Sequence, residues 1–169
     1  AKIVGIGISY KYGEAFYLPV QTEGVSKWDE LKPLVAGIFE NPKIEKWTHN
    51  GLCYDAQVLF HNGVICNGLS DDTMIAHKFL YSETFPNGLD QLCLHYFNYV
   101  KIPTHKLIGK GRKKVTFDYV PLKEGAIYGC EDVDYQYRLR IEVLKDIQTS
   151  GKMSLYKTYT QPLIQILFD

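Results

Sequence analysis

No stretch of this 169-residue chain approaches the ~20 consecutive apolar residues that a membrane-spanning helix needs. Nothing at its start resembles a signal peptide. The four cysteines (Cys53, Cys66, Cys93 and Cys130) form no CxxC pair. That excludes the common zinc frames and reads as reduced core residues of a cytoplasmic protein. The five histidines, His49, His61, His77, His95 and His105, show no ligand spacing such as HExxH, and they read as non-functional. Neither sign of charge is in excess: 19 basic and 19 acidic residues give a net charge of zero. A global basic footprint for nucleic acid is therefore absent, and any such contact must come from a local patch. There are no repeats and no low-complexity segments. Core-forming material is present, with 46% hydrophobic and 14% aromatic residues, enough for one domain. The first residue is Ala, not Met, and a strand pattern starts at once, so the expectation is a chain excised from something longer.

Lys2 to Tyr10 alternates β-branched residues with glycine, which predicts a strand. Gly13 centres a turn, and Ala15 to Val20 predicts the second strand of an antiparallel hairpin, with Pro19 at an edge. Ser26 and Asp29 suggest a capping box opening a helix whose buried stripe is Leu31, Leu34, Val35, Ile38 and Phe39. Asn41-Pro42 ends it. Lys46 to His49 reads as a strand broken by Asn50-Gly51, then a helix from about Tyr54 to His61, then a short strand at Val64-Ile65-Cys66. Ser70 to Thr73 leads into a helix over Met74 to Tyr81. Phe85 to Gly88 is a loop, and Leu89 to Phe97 is helical. Lys101 to Asp118 is irregular. A long helix carries Ala126, Ile127, Cys130, Val133 and Tyr137 as its apolar stripe and runs to Thr149. Ser150-Gly151 breaks it, and a last amphipathic helix runs to the end. A hairpin, then alternating helices and strands, then helices alone, predicts an α/β or α+β layered domain.

Three stretches could carry chemistry. Tyr128 and Asp132, four apart on one helix face, can hold a water and a cation side by side; the plain alternative is a boundary pair. Asn50 to Asp55 lies where a strand ends and a helix begins. Open sheets place ligands there, and Asp55 can bind a hard cation, with Asn50 and Tyr54 near a substrate. The plain alternative is a helix cap. Lys106 to Lys114 is basic without an acid, suited to a phosphate backbone or simply a solvated loop, and it lacks P-loop spacing. Asp71-Asp72-Thr73 has the look of a metal cluster, but capping of the Met74 helix is the preferred reading.

Together these motifs resemble a family. N-x3-Y-D at Asn50–Asp55 resembles the second motif of the DEDD 3′–5′ exonucleases, and Y-x3-D at Tyr128–Asp132 their third motif in its tyrosine version. Asp72-Thr73-Met74, Gly109–Phe117 and the acidic run after Tyr128 resemble the proofreading domain of bacterial DNA polymerase I. The resemblance covers essentially the whole chain. Gln161 to Ile164 resembles the helix leading toward a polymerase domain, so residues 1–169 are expected to be one exonuclease-like domain with about 154–169 as the lead-out.

The resemblance implies a ribonuclease-H-like α/β fold, a mixed sheet flanked by helices. It implies two Mg²⁺ or Mn²⁺ ions, about 4 Å apart, held by Asp55 and Asp132, with Tyr128 orienting water. Asn50 and Tyr54 would line the terminal-nucleotide pocket, and Lys110, Arg112, Lys113 and Lys114 would contact phosphates. The implied partners are a single-stranded DNA 3′ end and a polymerase domain downstream in the same chain, with no membrane. The family's first motif, D-x-E, belongs on a strand ahead of the hairpin, and this sequence has none there. The expectation is a sheet without its first central strand, and a chain that by itself binds Mg²⁺ poorly and does not cut. Two further readings stay open: an RNA-processing exonuclease of the RNase D class, and a non-catalytic domain supporting a polymerase.

Overall fold

A computed structural model describes residues 2–22, 24–51, 53–82 and 86–166, without the side chains of Lys113 and Gln165. Strands β1 (Gly5–Lys11) and β2 (Glu14–Pro19) form the antiparallel hairpin. Gly13 turns it at φ +77°, where a Cβ would be strained. A two-residue ribbon of β3 (Gln21–Thr22) and β4 (Val25–Ser26) follows. Helix α1 (Trp28–Phe39) leads to β5 (Lys46–Thr48), α2 (Asp55–His61), β6 (Leu69–Asp72) and α3 (Thr73–Tyr81). Next come α4 (Leu89–Phe97), the short α5 (Thr104–Ile108) and the long α6 (Leu122–Thr149). A last helical run holds α7 (Met153–Leu155), a π turn over Tyr156–Thr160 and α8 (Gln161–Ile166).

β5 and β6 are parallel, so the strands are of both senses. Among the described residues β1–β2 and β5–β6 are separate ladders. Helices cover both faces, and the alternation along β1 shows how. Ile6 packs into a core of Ile3, Val20, Val35, Ala56, Leu59, Val64 and Cys66, the α1–α2 side. Gly7 faces the other way, where an added Cβ would lie 2.9 Å from Val133 and 3.0 Å from the Gly129 carbonyl of α6. A Cβ at Gly129 would in turn lie 2.7 Å from the Tyr17 ring. The glycines thus let hairpin and helix approach at backbone distance. The second core, Ala76, Leu92, Leu139, Val143, Ile147 and Tyr156, joins α3, α4 and α6.

The structure departs from the sequence-based expectation at several points. Val64 and Cys66 are buried but in no ladder; the parallel strand begins at Leu69, after Gly68 turns the chain at φ +71°. The capping box does not form. α1 starts at Trp28, and Ser26 only accepts from the Trp28 N–H at 3.2 Å. Leu34 and Ile127, expected in buried stripes, are 58% and 50% exposed. The long helix begins at Leu122, and its deepest residues lie in its second half, at Leu139, Val143 and Ile147. The last helix is interrupted by its π turn. Leu52, Phe85 and residues 167–169, part of the predicted motif, loop and last helix, lie outside the described residues. So does Glu23.

Asp72 is the cap that the sequence suggested, and more. It is fully buried. Oδ1 accepts from the Met74 and Ile75 N–H groups at 3.0 and 3.2 Å, capping α3. Oδ2 accepts from the Thr48 hydroxyl at 2.8 Å and the Gly51 N–H at 2.9 Å, fastening the end of β5. Asp71 beside it accepts from Tyr156, and Gln161 donates to the Ser70 carbonyl at 2.8 Å, so the last helical run docks on β6. Asp72→Ala removes a cap and orphans buried donors. It should lower stability by about 3 kcal/mol in urea unfolding, and a loss under about 1 would contradict this role.

Candidate active site

Asp55 and Asp132 arrive from different elements. Asp55 starts α2, just past the turn where Asn50 sits at φ +60°, a left-handed conformation asparagine tolerates. Tyr54, not Asp55, occupies the cap position, and no side chain caps the helix. Capping therefore does not account for this carboxylate. Asp132 lies on α6, one turn after Tyr128. The two acids sense each other: burial, then the charges of Asp72 and Asp132, push the Asp55 carboxyl up to about 6. The residue keeps a solvent-exposed surface even so. With water reaching it, the like charges are the firmer cause.

Tyr128 is clasped from both sides. Its hydroxyl shares a 2.9 Å hydrogen bond with Thr104 Oγ1, and its ring lies 5.7 Å from that of Phe117. The segment from 104 to 117 thus leaves Tyr128 and returns to it, carrying the basic stretch between. Within it, Lys110, Arg112 and Lys114 are exposed. Burial holds the phenol above its ordinary value, with Asp132 adding to the rise and the Thr104 bond opposing it, so Tyr128 stays protonated. A cavity of about 380 Å³, lined in part by Tyr17, Phe117, Tyr119, Val120 and Gly125, shares Phe117 with this site. Asn50 and Tyr54 stand beside Asp55. Tyr54 is 65% exposed, and neither side chain makes a hydrogen bond among the described residues.

Sequence reasoning missed Lys101. Its side chain is 1% exposed, and its ammonium donates to Asp132 Oδ1. Burial alone would lower its pKa; the hydrogen bond and charge of Asp132, then Glu131, outweigh it and hold the lysine above its usual value. For Asp132, burial pulls upward and the ammonium downward. With the two in contact, the charged pair is the state that satisfies both. Glu131 accepts from Tyr99 OH at 2.7 Å and from the Ile102 N–H at 2.9 Å, so it fixes the loop that carries Lys101. His49, read as non-functional, shares a 2.8 Å hydrogen bond with Thr73, and burial pushes its imidazole below the ordinary value. The available signal for Lys101 was a single lysine between Val100 and Ile102, in an apolar setting.

Asp55 and Asp132 have the hard oxygen donors that Mg²⁺ or Mn²⁺ takes. Among the described residues, however, no group of three or more acids, histidines or cysteines could hold a metal. One of the two carboxylates already carries an ammonium. As they stand, these residues do not fit a pair of divalent ions.

The pKa of Asp55 makes a signed prediction. A carboxyl raised to about 6 in the folded state binds its proton more readily than in the unfolded chain. Its charge therefore opposes folding above about pH 6, and that cost disappears as pH falls toward the ordinary carboxylate range near 4. Asp55→Asn should be more stable than wild type at pH 8, by a margin that closes by about pH 4 in urea unfolding. A margin that does not change with pH would contradict it.

No described helix is long and apolar enough to cross a membrane. A model of the 3′–5′ exonuclease family matches residues 1–148. DNA polymerase I of Chloroflexus aurantiacus is 32% identical over 172 residues, covering 99% of this chain and 18% of that protein. DNA polymerase I of Pseudomonas aeruginosa is 28% identical over 179 residues, covering 99% of this chain and 19% of that protein. The chain spans about a fifth of the length of these relatives. Among solved structures, Brucella melitensis NrnC matches with a TM-score of 0.70 at 19% identity, over 96% of this chain and 72% of that one. The fold is of the ribonuclease-H-like exonuclease type. With the family's match running through both the Asn50–Asp55 turn and the Tyr128–Asp132 helix face, the chain belongs to the 3′–5′ exonuclease family.

Proposed function

We propose that this domain removes nucleotides from the 3′ end of single-stranded DNA as the proofreading part of a DNA polymerase, releasing 5′-mononucleotides. The observation that carries the reading is the clasp on Tyr128. It sets a protonated phenol, Asp132 and the ends of a cationic segment within one site. A neutral phenol can hold an attacking water by hydrogen bonding without itself changing charge. The exposed Lys110, Arg112 and Lys114, with Lys113, meet the phosphate backbone. The neighbouring cavity is of the size that takes a small ligand and is rich in aromatic rings, which suits stacking of an unpaired base. Asn50 and Tyr54 contact the terminal nucleotide from the Asp55 side. Any divalent ions this reading requires would need carboxylates beyond Asp55 and Asp132, which alone do not fit a pair. A polymerase domain in the same chain fits the relatives' length.

One observation favours a second reading, a domain that supports a polymerase without cutting: the ammonium of Lys101 on Asp132. Variants of the full protein separate the two. On the first reading, Asp132→Asn nearly abolishes 3′ excision of a labelled single strand in single-turnover assays. Tyr128→Phe slows it by roughly 10²-fold, and polymerisation survives both. Excision by Asp132→Asn at the wild-type rate would sink the assignment.

The basic segment gives an independent prediction. Neutralising Arg112, Lys113 and Lys114 should weaken single-strand binding alike for all sequences. The salt slope should drop by about 0.7 for each phosphate that is no longer neutralised. An unchanged slope would mean a merely solvated loop.

A further inference from the structure

Tyr128 and Glu131 are three residues apart on α6, close enough to share one helix face. The Glu131 side chain is only 7% exposed. A carboxylate that deep needs hydrogen bonds and counter-charge in place of water. Both come from one loop. Oε1 accepts from Tyr99 OH at 2.7 Å, Oε2 accepts from the Ile102 N–H at 2.9 Å, and the Lys101 ammonium lies 3.5 Å away. Tyr99 is pressed back onto the same helix, its ring stacked on Tyr135 with 4.1 Å between centres and 12° between planes. The loop from 99 to 102 is thus fastened to α6 by one acid and one ring stack.

Pro103 carries that anchorage onward. Its ring holds φ at −67°, so Thr104 follows Ile102 through a stiff link. Thr104 Oγ1 then meets the Tyr128 hydroxyl at 2.9 Å. The path closes on itself: Glu131 holds the loop, and the loop holds the phenol that precedes Glu131 on the helix. Nothing in it passes through Asp132 or a metal ion.

We propose that Glu131 is a positioning residue for Tyr128, acting through Ile102, Pro103 and Thr104 and not touching substrate. This rests on the reading of Tyr128 as the group that holds the attacking water. A phenolic hydroxyl turns freely about its bond to the ring unless a partner fixes it. Thr104 is that partner, and Glu131 keeps Thr104 within reach.

The test is a double-mutant cycle on the full-length protein, read as single-turnover excision of a labelled single strand. Glu131→Ala and Thr104→Val should each slow excision about 10-fold, the scale of one lost hydrogen bond. The loss should fall on the rate of the bound strand and leave its affinity unchanged. Combined, the two changes should slow excision no more than either alone, because both break one path. Neither should slow Tyr128→Phe further. Glu131→Gln keeps an acceptor for the Ile102 N–H and a polar partner for Tyr99, so it should restore the wild-type rate. Additive losses, or a Thr104→Val rate equal to wild type, would overturn the proposal while leaving Tyr128 its role. A Tyr128→Phe rate equal to wild type would overturn both. Thr104 is exposed, so its variant tests the path even where Glu131→Ala does not fold. A second measurement is independent of cutting. Trypsin should cleave at the exposed Lys110, Arg112 and Lys114 several-fold faster in Glu131→Ala than in wild type. Equal cleavage rates would also overturn the proposal.

Discussion

The carboxylate of Asp72 ties together most of what matters here. It is fully buried, and both oxygens are spent: one on the first N–H groups of α3, the other on Thr48 and the Gly51 N–H. A buried charge is tolerable only when hydrogen bonds replace the water it lost. These bonds fix where β5 ends, and so where Asn50 turns left-handed and where Asp55 emerges on α2. Asp72 also lends Asp55 part of its raised pKa. One residue therefore fixes the position of a candidate site carboxylate and adds to the rise in its proton affinity.

The other half of the site depends on α6, which works differently along its length. Its second half is apolar and buried, with Leu139, Val143 and Ile147 fully enclosed against α3 and α4. Its first half meets the hairpin through Gly7 and Gly129 and presents Tyr128, Glu131 and Asp132 to the loop that follows α4. Core packing at one end makes the helix a rigid arm for chemistry at the other. Tyr99 and Lys101 complete that arrangement from the loop side, at the cost of loading Asp132 with an ammonium.

What the sequence made legible was local. The long helix, the hairpin with its glycine turn, and the Asp72 cap each follow from residues within a few positions of one another. The Tyr128–Asp132 spacing was likewise enough to put both on one helix face. The failures came from longer range. Val64-Ile65-Cys66 has strand composition, but the ladder partner of β5 is set by the turn at Gly68, so pairing begins at Leu69. Leu34 and Ile127 fit a helical stripe yet lie on the wrong side of the packed faces. Lys101 had no motif at all. Its role follows from acids 11 residues before it and 30 and 31 after it, brought together only by folding.

The central proposal is that the strand end held by Asp72 and the helix face of Tyr128 supply Asp55 and Asp132 to one cation site, which needs further carboxylates to be complete. Anomalous diffraction from crystals of the full-length protein equilibrated with Mn²⁺ addresses it directly. The account predicts an anomalous peak within ligand distance of a carboxylate oxygen of Asp55 or Asp132. Manganese bound elsewhere, with Asp55 and Asp132 both free of it at saturating concentration, would contradict it.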